Sequence, residues 1–224
     1  MKRASILFNE RERRVIAAAV AEAERVTAGE IVPVVATVSG RYDRAEDLFG
    51  LLLGLVALAV IWTLFQGTTE AAWAAGHTPT LGLAAVIGIV IAGFLAGAAL
   101  ATRFPVLRLP FIPTREMRQE VERRALETFQ RHRVRTTAGG TGVLIYVSLY
   151  ERMVRVVGDD AVARKISQDD WEDVCALVVD GMKAGRAAGG LEQAIRKCGE
   201  LLARHFPIRP DERNELYNEL VLID

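Results

Sequence analysis

Apolar residues follow two different patterns in the first half of the chain. Between Asn9 and Ala28 they recur at helical spacing, as Val15, Ile16, Ala19, Val20, Ala23 and Val26, and Asn9 with Glu12 occupies the positions of a capping box. This predicts an amphipathic helix ending near Gly29. The run Glu30 to Val38, EIVPVVATV, is β-branched and predicts a strand; Pro33 removes one ladder donor and points to an edge position or to the strand's first residues. From Leu48 to Phe65, and again from Leu81 to Ala101, periodicity disappears because nearly every residue is apolar. At about 1.5 Å rise per residue the first run covers roughly 27 Å, close to the thickness of a hydrocarbon core. Two transmembrane helices are therefore predicted, a hairpin connected by Gln66 to Thr80.

Amphipathic patterning resumes after the second run. Pro105, Pro110 and Pro113 make a stiff connection, and Thr114 is placed to cap a helix with the stripe Met117, Val121, Ala125 and Phe129. Thr141 to Leu149 is almost continuously apolar, as in a strand covered on both faces. A turn at Tyr150-Glu151 leads to Arg152 to Val157, which predicts an antiparallel hairpin. Ser167 and Asp170 cap a helix carrying Trp171, Val174, Cys175, Val178 and Met182 on one face; a second helix carries Leu191, Ala194, Ile195, Cys198, Leu202 and His205 in the same way. The tail 211–224 ends in Leu220 to Ile223, an apolar run for docking on the chain's own sheet or on a partner, the chain's own sheet being the preferred reading.

Residues 1–47 offer one helix and one strand, which cannot bury their apolar faces alone. The predicted organisation is thus a first domain part at 1–47, a transmembrane hairpin at 48–101 with helices 48–65 and 81–101, a second domain part at 102–207 and a tail at 208–224. The fold class expected is α/β, one domain assembled across the hairpin that interrupts it.

Charge sharpens this picture. A charged fraction of 25% excludes a chain embedded throughout, yet between Leu48 and Ala101 there is no Lys or Arg and one acid, Glu70. Arg41 and Arg44 before the first span, with Arg103 and Arg108 after the second, place both termini in the cytoplasm by the positive-inside rule. Trp62 and Trp73 fall where interfacial aromatics would sit on the far side. With no ionisable residue inside either span there is nothing from which to build a proton relay or ion path, which argues against a transporter or channel. Each span carries a Gly-x-x-x-Gly pair, Gly50 with Gly54 and Gly93 with Gly97, for packing within the hairpin or for a homodimer through one such face. The balanced net charge argues against nucleic acid as the partner. Nine arginines against four glutamates between Arg103 and Arg135 form a basic segment beside the bilayer that would attract anionic lipid headgroups. Cys175 and Cys198 lie on separate apolar stripes and read as buried, reduced thiols.

The stretch from Thr137 to Pro207, with TGVLIYVSLYERMVRVVGDD, the Trp171 helix and AAGGLEQAIRKCGELLARHFP, resembles the TPM-domain family, and AEAERVTAGEIVPVV resembles that family's first helix and strand. The likeness is in particular to small membrane proteins of bacteria in which two membrane helices interrupt the domain after its first strand. It implies a small, central mixed β-sheet flanked by helices, an α/β/α arrangement, and a place in the bacterial inner membrane. Members include plant thylakoid proteins credited with acid phosphatase activity, some of which bind metal, so the resemblance permits a phosphatase. It also permits a module that binds a partner protein or helps maintain membrane proteins.

Asp159 and Asp160 follow a strand, where two adjacent carboxylates could hold Mg²⁺ or Ca²⁺ with waters. Asp159 matches the family position; Asp160 replaces the basic or glycine residue usual there. The alternative is structural, with Asp159 capping the next turn. Arg152 and Arg155 flank these acids, but there is no glycine-rich phosphate loop and no thiol-phosphatase spacing, and neither His132 nor His205 stands in a catalytic pattern.

Overall fold

The computed structural model describes residues 3–73, 81–132, 134, 140–208, 216 and 218–224. Four strands, Glu30–Ala36 (β1), Gly142–Ser148 (β2), Met153–Gly158 (β3) and Val221–Ile223 (β4), form one sheet in the order β3-β2-β1-β4. β1 runs parallel to β2, from Glu30 opposite Gly142 to Ala36 opposite Ser148, and parallel to β4, while β2 and β3 are an antiparallel hairpin. The sheet is mixed, as the family resemblance implies, and its central pair joins residues from either side of the apolar insertion.

Both faces are covered, which is why β1 and β2 read as unbroken apolar runs. Successive side chains point to opposite faces of a strand. Ile31, Val35, Val143, Ile145 and Val147 pack with Glu10–Glu24 (α2), Gln168–Lys183 (α7) and Ala187–His205 (α8). Val32, Val34, Ala36, Leu144 and Tyr146 pack with Val121, Ala125 and Phe129 of Thr114–Arg131 (α5).

Pro33 lies inside an inner strand, not at an edge. Leu149 N donates to Ala36 O, so even-numbered residues of β1 face β2 and odd-numbered ones face β4. β4 pairs only from Val34 onward, so the donor that Pro33 lacks would point to a place where no ladder has yet begun. The tail docks as expected: Thr37 N donates to Ile223 O at 2.7 Å, and the Asp224 carboxylate accepts from Thr37 Oγ1 at 2.8 Å and Ser5 N at 3.2 Å. Ser5 lies in Ala4–Leu7 (α1).

The capping boxes form at Asn9 with Glu12 and at Ser167 with Asp170. α2 stops at Glu24, however, short of Gly29, and Val15 and Val26 are exposed. Thr27 is drawn away to bridge Pro207, its hydroxyl donating to Phe206 O at 2.7 Å. His205 is likewise exposed at the end of α8. Cys198 is fully buried, which pushes its thiol pKa up, whereas Cys175 is half-buried with its sulfur 3.9 Å from Val154 O.

Arg41–Thr114 form one compact unit, and Lys2–Gly40 with Arg115–Asp224 form the other. In the first, Asp43–Trp73 (α3) and Leu83–Arg103 (α4) contain two segments long and apolar enough to cross a membrane, Asp43–Phe65 and Leu83–Arg103. The stretch 66–73 continues α3 where a connection was expected; residues 74–80 lie outside the described part. The Gly-x-x-x-Gly pairs meet each other: a Cβ on Gly93 would come within 2.6 Å of Gly54 Cα, and one on Gly97 within 2.7 Å of Gly50 Cα. At the foot of the hairpin Glu46 accepts from Arg108 at 2.6 Å and from Thr102 at 3.2 Å, and Phe49 meets Phe111 edge-on at 6.1 Å. Phe111 ends a 3₁₀ turn, Pro105–Phe111.

Candidate functional site

In an open sheet with parallel strands, ligands gather outside the carboxyl ends of those strands. Here the carboxyl ends of β1 and β2 carry a buried polar cluster. Ser39 Oγ lies 2.7 Å from Ser148 Oγ and 3.0 Å from Tyr146 Oη. Ser148 Oγ also donates to Glu151 Oε2, while Glu151 Oε1 accepts from Ser39 N at 3.0 Å and Gly40 N at 3.2 Å. Burial is the main cause that raises the Tyr146 phenol pKa, so Tyr146 stays a neutral hydroxyl at physiological pH. Each oxygen of the cluster is bonded to another group of the chain itself, and Glu151 clamps the backbone just before it leaves the sheet. That leaves its carboxylate engaged internally.

Asp159 is the N-cap of a short helix, Asp160–Ala163 (α6); its Oδ1 accepts from Asp160 N at 2.7 Å. Asp159 is buried and Asp160 exposed, so the two neighbours point into different surroundings. Among the described residues no group of three or more His, Cys, Asp or Glu side chains is assembled for a metal ion. Of the flanking arginines, Arg155 pairs with Glu122 at 3.2 Å, while Arg152 sits in the tight turn before β3 with a φ of 54°. The basic segment is partly neutralised as well: Arg108 is held by Glu46, Arg123 by Glu120 and Glu127, and Arg124 by Glu127.

Sequence reasoning missed a second polar feature, at the amino end of β1. Glu24 Oε1 accepts from Ile31 N at 2.9 Å, and the Oε2 atoms of both Glu24 and Glu30 are buried. Desolvation, reinforced by the neighbouring Glu30 and opposed by bonds from Ile31 N and the Asn218 side chain, raises the Glu24 pKa to about 8. The available signal was an acid at the first position of a strand whose every residue is buried.

The fold and site together define a three-layer α/β domain whose polar residues at the carboxyl ends of β1 and β2 bond one another. Residues 108–201 match the family model of the TPM domain, a span that includes β2, β3, α7 and most of α8. The NMR structure of BA42 protein from the psychrophilic bacterium Bizionia argentinensis is similar, with a TM-score of 0.56 at 19% identity, covering 96% of this chain and 94% of that one; at this identity the likeness is one of fold. No curated protein matches the chain.

Proposed function

We propose that this protein is a membrane-tethered TPM-type module that acts by binding a partner protein at the cytoplasmic face of a bacterial inner membrane, in an interaction or maintenance role. The observation that carries the reading is the exposure of the two apolar helices. Only 11% and 6% of their most apolar windows are buried, whereas the core helix of a soluble protein hides its apolar surface. Leu52, Leu55, Ile87, Ile91 and Leu95 all face outward, which suits hydrocarbon and is costly in water. The facing glycine pairs support a hairpin that packs on itself, and the internally bonded cluster at Glu151 supports binding over chemistry. Crosslinking in intact membranes followed by mass spectrometry tests this: a reproducible protein partner is the expected result, and its absence across crosslinker lengths would remove the interaction role.

The second reading is a weak metal-assisted phosphatase at Asp159 and Asp160. Its support is the family match together with the position of Asp159 Oδ2, 3.5 Å from where a Cβ on Gly140 would sit. Gly140, with a φ of 60°, puts no side chain against that oxygen. Hydrolysis of a generic phosphate ester by the purified protein, dependent on Mg²⁺ or Ca²⁺ and lost in Asp159→Asn, would favour it over the binding role.

A further inference from the structure

On the sheet face that carries α7, a cavity of about 370 Å³ opens where β2 ends and β3 begins. Its walls are apolar: Val147 and Leu149 at the end of β2, Val154 on β3, and Val179 and Met182 on the last turns of α7. Two charged residues line it, Arg152 and Lys183, and both are cations. Both are exposed, and among the described residues neither forms an ion pair. The other polar lining side chain, Ser148, is already committed to Ser39 and Glu151.

This combination has a definite chemical complement. Small-molecule sites occupy about 300–1,000 Å³ and are lined mainly by apolar side chains with a few polar groups that fix orientation. The cavity falls at the small end of that range, a size that suits one aliphatic chain and not two. Lys183 can lay its methylenes along the apolar wall while its ammonium meets a head group, and Arg152 can offer a carboxylate or phosphate two parallel donors. Arg152 also holds a backbone conformation uncommon for a residue with a side chain, a feature met at ligand clamps. The carbonyls at the end of α7 are taken by the N–H groups of Ala184, Gly185 and Arg186, so they do not compete for the cations.

We propose that this cavity binds a single-chain amphiphile with an anionic head, a carboxylate or a phosphate, whose chain lies between β2, β3 and α7 and whose head is held by Arg152 and Lys183. The test uses the full-length protein in phosphatidylcholine nanodiscs, with dansyl-undecanoic acid as a fluorescent probe and empty discs as the blank. Saturable binding above the blank is expected, displaced by dodecanoate and by dodecyl phosphate at concentrations about tenfold or more below those needed for dodecanol. Arg152→Asn combined with Lys183→Gln, chosen because asparagine tolerates positive φ, should weaken the probe about tenfold with an unchanged melting temperature. Val179→Trp, which fills the cavity, should abolish binding. Equal competition by dodecanol, wild-type affinity in the double variant, or no signal above empty discs would each overturn the proposal. Displacement by phosphatidylglycerol in the disc would overturn the single-chain assignment, since a two-chain bilayer lipid would then satisfy the site.

Discussion

Glu24 and Glu151 show how differently one buried carboxylate can be handled. Glu151 receives two backbone N–H groups and a hydroxyl, so replacing it with alanine strands Ser39 N and Gly40 N; a loss of on the order of 3 kcal/mol is expected in urea unfolding. Glu24 receives Ile31 N and an Asn218 bond, but these are outweighed by burial and by Glu30, and its pKa rises to about 8. In the unfolded chain the same carboxyl titrates near 4.5. Below that pH it is protonated in both states and its contribution to stability is fully present. As pH climbs toward 8 the unfolded state gives up a proton that the folded state keeps, and stability falls. Melting temperatures measured from pH 5 to 8.5 should therefore decline more steeply in the wild type than in Glu24→Gln, and equal slopes would show that Glu24 does not titrate in this way. Neither residue was singled out from the sequence for these roles, because what defines them is a partner far along the chain: Ser39 precedes Glu151 by the whole apolar hairpin, and Asn218 lies near the other terminus from Glu24. Asp159 was legible as a cap or a ligand, and the fold realises the cap; the ligand role stays with the phosphatase assay.

At the scale of elements, periodicity succeeded wherever burial follows local repeat. The helices of α5, α7 and α8 and the strands β1 and β2 stand where their apolar patterns placed them. Ends fared worse, since α2 stops early under the pull of the Thr27–Pro207 bridge and α3 runs through the expected connection. Pro33 misled because strand position was inferred from one missing donor, when the length of the neighbouring strand decides whether that donor is needed. Glycine spacing identified a close helix contact and left its partner open; the structure matches Gly50 with Gly97 and Gly54 with Gly93. A side chain at any of these meets backbone, not a flexible tip. Gly54→Leu should thus force α3 and α4 apart, and a cysteine pair at Glu46 and Thr102, whose side chains touch across the two helices, that crosslinks through a short bifunctional reagent in the wild-type background should crosslink less in that variant. Unchanged crosslinking would mean that the glycine contact is not what sets the approach of the two helices.

For the whole molecule, the division into two compact units makes a strong statement about self-sufficiency. The sheet and its helices bury their apolar residues against one another, so a chain with 41–114 replaced by a flexible glycine-serine linker should stay soluble and melt cooperatively. Aggregation of that variant would indicate that the domain draws stability from the hairpin. In the intact chain, a reporter placed between Gln66 and Thr80 should behave as extracytoplasmic; a cytoplasmic signal would reverse the orientation proposed here. The parallel pairing of β1 with β2 also fixes an order of events during synthesis. β1 leaves the ribosome early, but Gly142–Ser148, its partner, follows only after both apolar helices have been made. At about 5–20 residues per second, this β-branched, largely apolar strand waits on the order of ten seconds without its β2 neighbour, while both helices of the hairpin are synthesised. Under the membrane-tethered reading proposed above, insertion of the hairpin precedes closure of the sheet, and a nascent chain stalled at the inserting machinery would hold β1 exposed, open to the chaperones and proteases that survey such strands.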